Sequence, residues 1–407
     1  MTSYRGITWD HPRGRNALEA AARDAAARQA AGSGGVDITW SAHSLEHFES
    51  HPIDDLAANY DLIVLDHPHL GEALEKHSLQ PIDAVVGAAR IERWSRESVG
   101  PSFDSYSADG YQWAVPLDAA TQVAVHSTTL LDPAEVPTTW HEVESLAGRA
   151  PVALSLAGPH AFLSFASICV AFGEEPGRRP GTPLISSETG SRALELLRSI
   201  GSRAPEGTAA QNPIALLERL SGAGGSDASD SSGGSASSRA SGPSGASGDI
   251  AYIPLVYGYV TYSSPTVRFV DAPAGSPGGR RGSTIGGTGL AVSARCEVTP
   301  ALVEHIDWLM SASTQTGFIP QHDGQPSARA AWDDAEVDAA SHGFYRSTVR
   351  TIDESWVRPR YNGYIPFQTE ASAIVRSVVA GETSIESGLT VLQKAFDASN
   401  ASVIERV

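Results

Sequence analysis

The chain is 407 residues long, 41% apolar and 19% charged, with a formal net charge of −18. That length exceeds what one hydrophobic core usually supports and makes two lobes the natural expectation. No apolar run approaches the roughly 20 residues that span a bilayer, so no membrane insertion is expected. The negative charge disfavours nucleic acid as a partner, and basic residues gather only in short pairs such as Arg280-Arg281.

Residues 1–9 leave no room for a basic segment followed by an apolar stretch. As it stands the chain is expected to be cytoplasmic, and extracytoplasmic if a leader preceded it. A strand is expected over 4–9, then the breaker Pro12-Arg13-Gly14, then an Ala-rich helix over 16–30. A second strand is expected at 37–40. Leu62-Ile63-Val64-Leu65 is a short apolar run ending in Asp66-His67-Pro68, which suits a buried parallel strand. Segments 111–116 and 122–126 read as two further strands, and 137–142 opens a helix with a Thr cap.

Ser, Gly, Ala and Asp dominate 221–248, which reads as a flexible low-complexity loop. Beyond it, 249–262 and 284–292 read as strands, the second broken by Gly286-Gly287-Thr288-Gly289. Helices are expected at 300–313 and 369–400, with a break near Gly381. Cys169 and Cys296 follow no metal-ligand spacing and read as reduced core thiols, a disulfide between them being the alternative.

The order of these segments resembles the solute-binding proteins of ABC transporters, in the carbohydrate-uptake class. The likeness rests on the opening strand and helix, on 61–71 followed by Leu79-Gln80-Pro81-Ile82, and on Trp113-Ala114-Val115-Pro116 entering 123–131. It continues through Pro137-Thr138-Thr139-Trp140, Gly248-Asp249-Ile250-Ala251-Tyr252, 287–293, Thr314-Gln315-Thr316-Gly317-Phe318, and the closing 380–389. The resemblance implies a type II periplasmic-binding-protein-like α/β fold, each lobe a mixed sheet flanked by helices. It also implies a ligand cleft between lobes that close about a hinge. Lobe one would comprise 1–117 and 263–312, and lobe two 118–262 and 313–407, with the 221–248 loop inside lobe two. An ABC permease is the implied partner if the chain is exported, and a monomer is expected. The absent export signal and two histidine-rich loops depart from the family pattern.

Those loops are Asp10-His11-Pro12-Arg13-Gly14 and Asp66-His67-Pro68-His69, each directly after a strand. Ligands of open α/β sheets bind beyond the carboxyl ends of strands, so both loops are expected in one cleft. Three readings remain open. Asp and His can simply cap helices and bond the turns. They can instead recognise a polar ligand, Arg13 donating a planar fork while Asp10 and Asp66 accept hydroxyls. Or Asp10, His11, His67 and His69 can hold a metal or move protons in a cytoplasmic enzyme.

Trp9, Tyr257, Tyr259, Tyr361 and Tyr364 fall at expected strand ends or turns, where ring faces suit a sugar-like ligand. Tyr257 and Tyr259 are two apart and are expected on one strand face. Asp118, Gly287, Thr288 and, more weakly, Gln368 join the cleft candidates by position. No hydrolase signature is present, and no cofactor or metal is expected. The reading is capture of a small polar, carbohydrate-like ligand, with the enzyme as alternative.

Overall fold

A computed structural model of the chain describes residues 2–32, 34–222 and 248–399. Most of the stretch expected as a flexible loop therefore lies outside the described residues. Among those described, no helix is long and apolar enough to cross a membrane.

Strand β1 (Ser3–Trp9) pairs in parallel with β2 (Asp37–His43) and with β3 (Leu62–Leu65). Helix α1 (Pro12–Ala30) returns the chain from β1 to β2. It starts four residues before the expected position, because Pro12 serves as its first residue instead of breaking it. A proline at that position loses only an N–H that no helical carbonyl would accept.

Strand β4 (Ala114–Ser127) is one continuous element where two strands were expected, and all of its residues are buried. Its first half runs antiparallel to β7 (Ile285–Val292), which in turn pairs with β3. Its second half lies between β5 (Tyr252–Tyr257) and β6 (Val267–Val270), both antiparallel to it. Pro116, lacking a backbone N–H, coincides with a register shift rather than a break in the strand. Opposite that shift, Gly287 adopts φ +90°, and a Cβ there would stand 2.3 Å from the Asp118 carbonyl oxygen.

The second half of β4 is covered by helices α3 (Trp140–Ala147), α4 (His160–Ala171) and α5 (Ser187–Gly201), then α9 (Tyr364–Val379) and α10 (Ile385–Ala398). Thr139 and Glu142 form a reciprocal capping box at the start of α3, as the Thr cap predicts. Helix α4 is buried all round, which its nearly unbroken apolar sequence dictates. The two closing helices are separated at Gly381, near the expected break. Cys169 and Cys296 are buried free thiols in different apolar clusters.

Three segments cross between the halves of the molecule and are pinned by hydroxyls. Thr121 Oγ1 lies 2.6 Å from Ser355 Oγ, and Ser283 Oγ donates to the Gln122 carbonyl at 2.6 Å. Trp356 N donates to Ser283 O, and Ile285 N to Trp356 O. Residues 315–328 pack beside the first half of β4, where Gln325 Nε2 donates to Ala119 O at 2.8 Å.

Candidate functional site

Both Asp-His-Pro loops leave the carboxyl ends of neighbouring parallel strands, β1 and β3. They reach different groups of residues contributed from the far half of the molecule.

At the first loop, His11 Nδ1 accepts the Arg13 backbone N–H at 3.2 Å and so caps α1. Its ring stacks on Trp9 with centroids 5.0 Å apart and meets Tyr259 edge-on at 5.1 Å. Burial, with the Arg13 charge added, lowers the His11 pKa to about 4. Arg13 is buried and its nitrogens are engaged. Nε donates to Asp118 Oδ2 at 2.7 Å, Nη2 pairs with Asp118 Oδ1, and Nη1 donates to Gly258 O at 3.0 Å. Its guanidinium also covers the Tyr259 ring at 4.9 Å. Asp10 is exposed and pairs with Arg15. Asp118 and Thr288 face each other across β4 and β7.

The second loop is bonded differently. Asp66 Oδ1 caps the turn by accepting the His67 backbone N–H at 2.9 Å, and Oδ2 accepts from Arg358 Nη2 at 2.6 Å. Burial alone would raise the Asp66 carboxyl, but Arg358 and His67 hold it well below the usual range. The His67 ring is fully buried; Nδ1 faces Asp66 Oδ1 at 3.1 Å, and Nε2 has no partner. His69 Nδ1 is likewise buried and unpartnered.

Across from this loop lie His160, the first residue of α4, and Tyr257 at the end of β5, whose rings meet at 5.8 Å. Tyr364 opens α9. The Tyr257 and Tyr364 hydroxyls, His160 Nδ1 and Arg358 Nε are all buried without a protein partner. The charge of Arg358 acts on His67, His69, His160, Tyr257 and Tyr364, which places these orphan groups around one guanidinium. Arg358 Nη1 also donates to Gln368 Oε1 at 3.2 Å. Glu49, near the end of α2 (Leu45–Ser50), brings Oε1 to 3.6 Å from His160 Nε2.

Burial and the Arg358 charge lower His67 to about 4 and His160 to about 3, so both imidazoles are neutral at pH 7. Each neutral ring offers one donor and one acceptor. Burial and the neighbouring Asp66 charge raise Glu49 to about 7. A groove of about 340 Å³ bordered by Pro68, His69, Tyr361 and Pro366 opens beside the cluster. A roomier pocket of about 740 Å³ between Leu154, Leu156, Thr208 and Val379 reaches Gly158, two residues before His160, but none of the orphan groups lines it. Convergent polar groups from both halves, rather than volume, mark the candidate site.

Tyr257 and Tyr259 part company. Strand β5 ends at Tyr257, so the two-residue alternation does not extend to Tyr259, which turns toward Trp9 and Arg13. Tyr361 bonds Ser399 Oγ through its hydroxyl at 2.7 Å. Glu49, His160 and Arg358 were not singled out from the sequence. A histidine opening an otherwise apolar helix after Gly158-Pro159 was a usable signal for His160, but nothing in the local pattern marks Glu49. Among the described residues, no group of three or more His, Cys, Asp or Glu side chains is arranged to hold a metal ion.

No protein-family model matches the chain, and no curated protein matches it. Its fold is similar to solved solute-binding proteins. One is the acarbose-binding GacH receptor of Streptomyces glaucescens, at 15% identity over 98% of this chain and 99% of that one, with a TM-score of 0.75. An ABC transporter solute-binding protein from Agrobacterium radiobacter K84, in complex with ribitol, is 18% identical with 98% of each chain covered and a TM-score of 0.73. The cyclic alpha-maltosyl-1,6-maltose binding protein of Arthrobacter globiformis is 15% identical, also over 98% of each chain, with a TM-score of 0.72. The chain thus has the two-lobed type II fold of ABC transporter solute-binding proteins.

Proposed function

We propose that the chain captures a small, uncharged, carbohydrate-like ligand in the seam between its lobes and holds it by hinge closure. The observation that carries this is the set of buried orphan atoms on His67, His69, His160, Tyr257, Tyr364 and Arg358. Each buried polar group left unpaired costs about 1–3 kcal/mol, and a hydroxylated ligand, donor and acceptor at every OH, offsets that cost. Asp66 already balances the Arg358 charge, which favours a neutral ligand over an anion. The Tyr257 and Tyr364 rings add apolar faces suited to a sugar or polyol.

The proposed lobes keep residues 2–117 in the first and 122–222 with 359–399 in the second; residues 263–282, expected in the first, are proposed in the second, because 267–270 pair with β4 opposite β5. The Thr121, Ser283 and Ser355 hydroxyl cluster is the hinge between them. An ABC permease is the proposed partner and an extracytoplasmic location the proposed setting, by analogy with the similar folds.

Calorimetric titration against neutral mono- and disaccharides and linear polyols, with and without chelator, tests the reading. Saturable binding of one such compound, unaffected by chelator and with the compound recovered intact, is expected. No binding across the panel at millimolar concentration, or a chemically altered compound on recovery, would overturn it.

A further inference from the structure

Glu49 and His160 face each other across the seam at 3.6 Å, one from α2 beside β1 and the other from the first turn of α4. Charged and titratable groups reach this pair from several elements. Asp66, His69 and Arg358 lie around it, Glu46 shares the helix of Glu49, and Tyr257 packs on the His160 ring. Arg376 is tied to the carbonyls of Leu156 and Gly158 just before α4. A carboxylate and an imidazolium entering such a seam both lose hydration, and two charges removed from water together cost more than two neutral groups.

We propose that closure of the lobes passes a proton from His160 to Glu49, so that the pair enters the seam neutral and closure is insensitive to pH near neutrality. The inference rests on the interlobe closure proposed above. In the step, the His160 Nε2–H bond breaks and a Glu49 Oε1–H bond forms. The carboxylate lone pair takes the proton, and the resulting carboxyl faces the neutral Nε2. No proton is exchanged with solvent.

The sign follows from each group's two environments. In an open molecule the ordinary values, 4.5 for Glu49 and 6.5 for His160, put the shared proton on the imidazole between those limits. In the closed seam burial lowers His160 to about 3 and raises Glu49 to about 7, which puts the same proton on the carboxyl. Either partner alone would make closure pH-dependent, in opposite directions. His160 alone must release a proton to close, which favours closure at higher pH. Glu49 alone must take one up, which favours closure at lower pH.

The experiment follows the open-to-closed ratio of the ligand-free full chain by interlobe energy transfer at pH 5, 6 and 7. Fluorophores sit on Lys76→Cys in the first lobe and Glu188→Cys in the second. Wild type, Glu49→Gln, His160→Asn and the double variant are compared. Because His67, His69 and His43 are common to all four, the differences between profiles isolate the pair. Relative to wild type, the closed fraction of Glu49→Gln should rise roughly tenfold or more from pH 5 to 7, and that of His160→Asn should fall by a similar factor, the double variant returning to the wild-type slope. Parallel profiles for all four proteins would overturn the proposal, as would both single variants moving in the same direction. The measurement uses no ligand, so its failure and failure of the sugar titrations are separate results.

Discussion

Arg13 and Arg358 are both buried guanidiniums facing one carboxylate each, yet their bonding separates a structural role from the binding role proposed above. Arg13 donates from Nε and both Nη atoms to Asp118 and Gly258 O, whereas Arg358 leaves Nε unpartnered beside two tyrosine hydroxyls in the same state. Arg13→Gln should therefore act on stability, by about 3–5 kcal/mol in urea unfolding, because the Asp118 carboxylate would remain buried without its partner. Tyr257→Phe should do the reverse. Removing an orphan hydroxyl leaves stability within about 1 kcal/mol of wild type, while affinity for a ligand found by titration drops roughly tenfold. Equal stability losses in the two variants would undo the distinction. The Asp-His-Pro spacing marked both loops in the sequence, and it could not say which arginine is internally satisfied. That depends on Asp118 and Arg358, which lie 105 and 292 residues from their partners.

Strands β4 and β5 show why elements were easier to read than their ends. An apolar run identifies a buried element, but where it stops depends on tertiary neighbours. β4 passes through Pro116 because β7 tolerates a shifted register there, and β5 ends at Tyr257 because the chain then turns to meet Trp9 and Arg13. The seam depends on close approach as much as on side chains. In the short helix Leu70–Glu75 that follows the second Asp-His-Pro loop, a Cβ on Gly71 would stand 2.2 Å from the Tyr361 carbonyl carbon. Gly71 has ordinary helical backbone, so alanine there meets no intrinsic strain, only the opposing backbone. Gly71→Ala should thus fold with near wild-type circular dichroism but hold the lobes apart. Scattering should show a larger radius of gyration, and ligand affinity should fall by about an order of magnitude. An unchanged radius with unchanged affinity would mean that this contact does not limit closure.

Across the whole molecule, the α/β class was legible from the alternation of strands and helices, and the two lobes from chain length and the resemblance to solute-binding proteins, whereas the meeting of His67 and His69 with His160 was not. That meeting gives the protein a definite response to acid. His67, His160 and His305 are each buried, and burial lowers them to about 4, about 3 and about 4, with Arg358 adding to the first two and Arg28 to the third. Their unfolded value is 6.5, so between 6.5 and those lower limits the unfolded chain binds more protons than the folded one. Stability from these groups is fully present above pH 6.5 and is lost as pH falls. At pH 5 each neutral imidazole forfeits about 2 kcal/mol. Glu49 works the other way, because a raised carboxyl favours the folded state on acidification, but one partly exposed carboxyl offsets only part of three imidazoles. Urea unfolding should therefore give a lower midpoint at pH 5 than at pH 7. His305→Gln should flatten that slope, because glutamine does not titrate in either state and His305 lies outside the proposed site. If the midpoints at pH 5 and 7 coincide, or if His305→Gln leaves the slope intact, the buried imidazoles are not the groups that couple folding to pH.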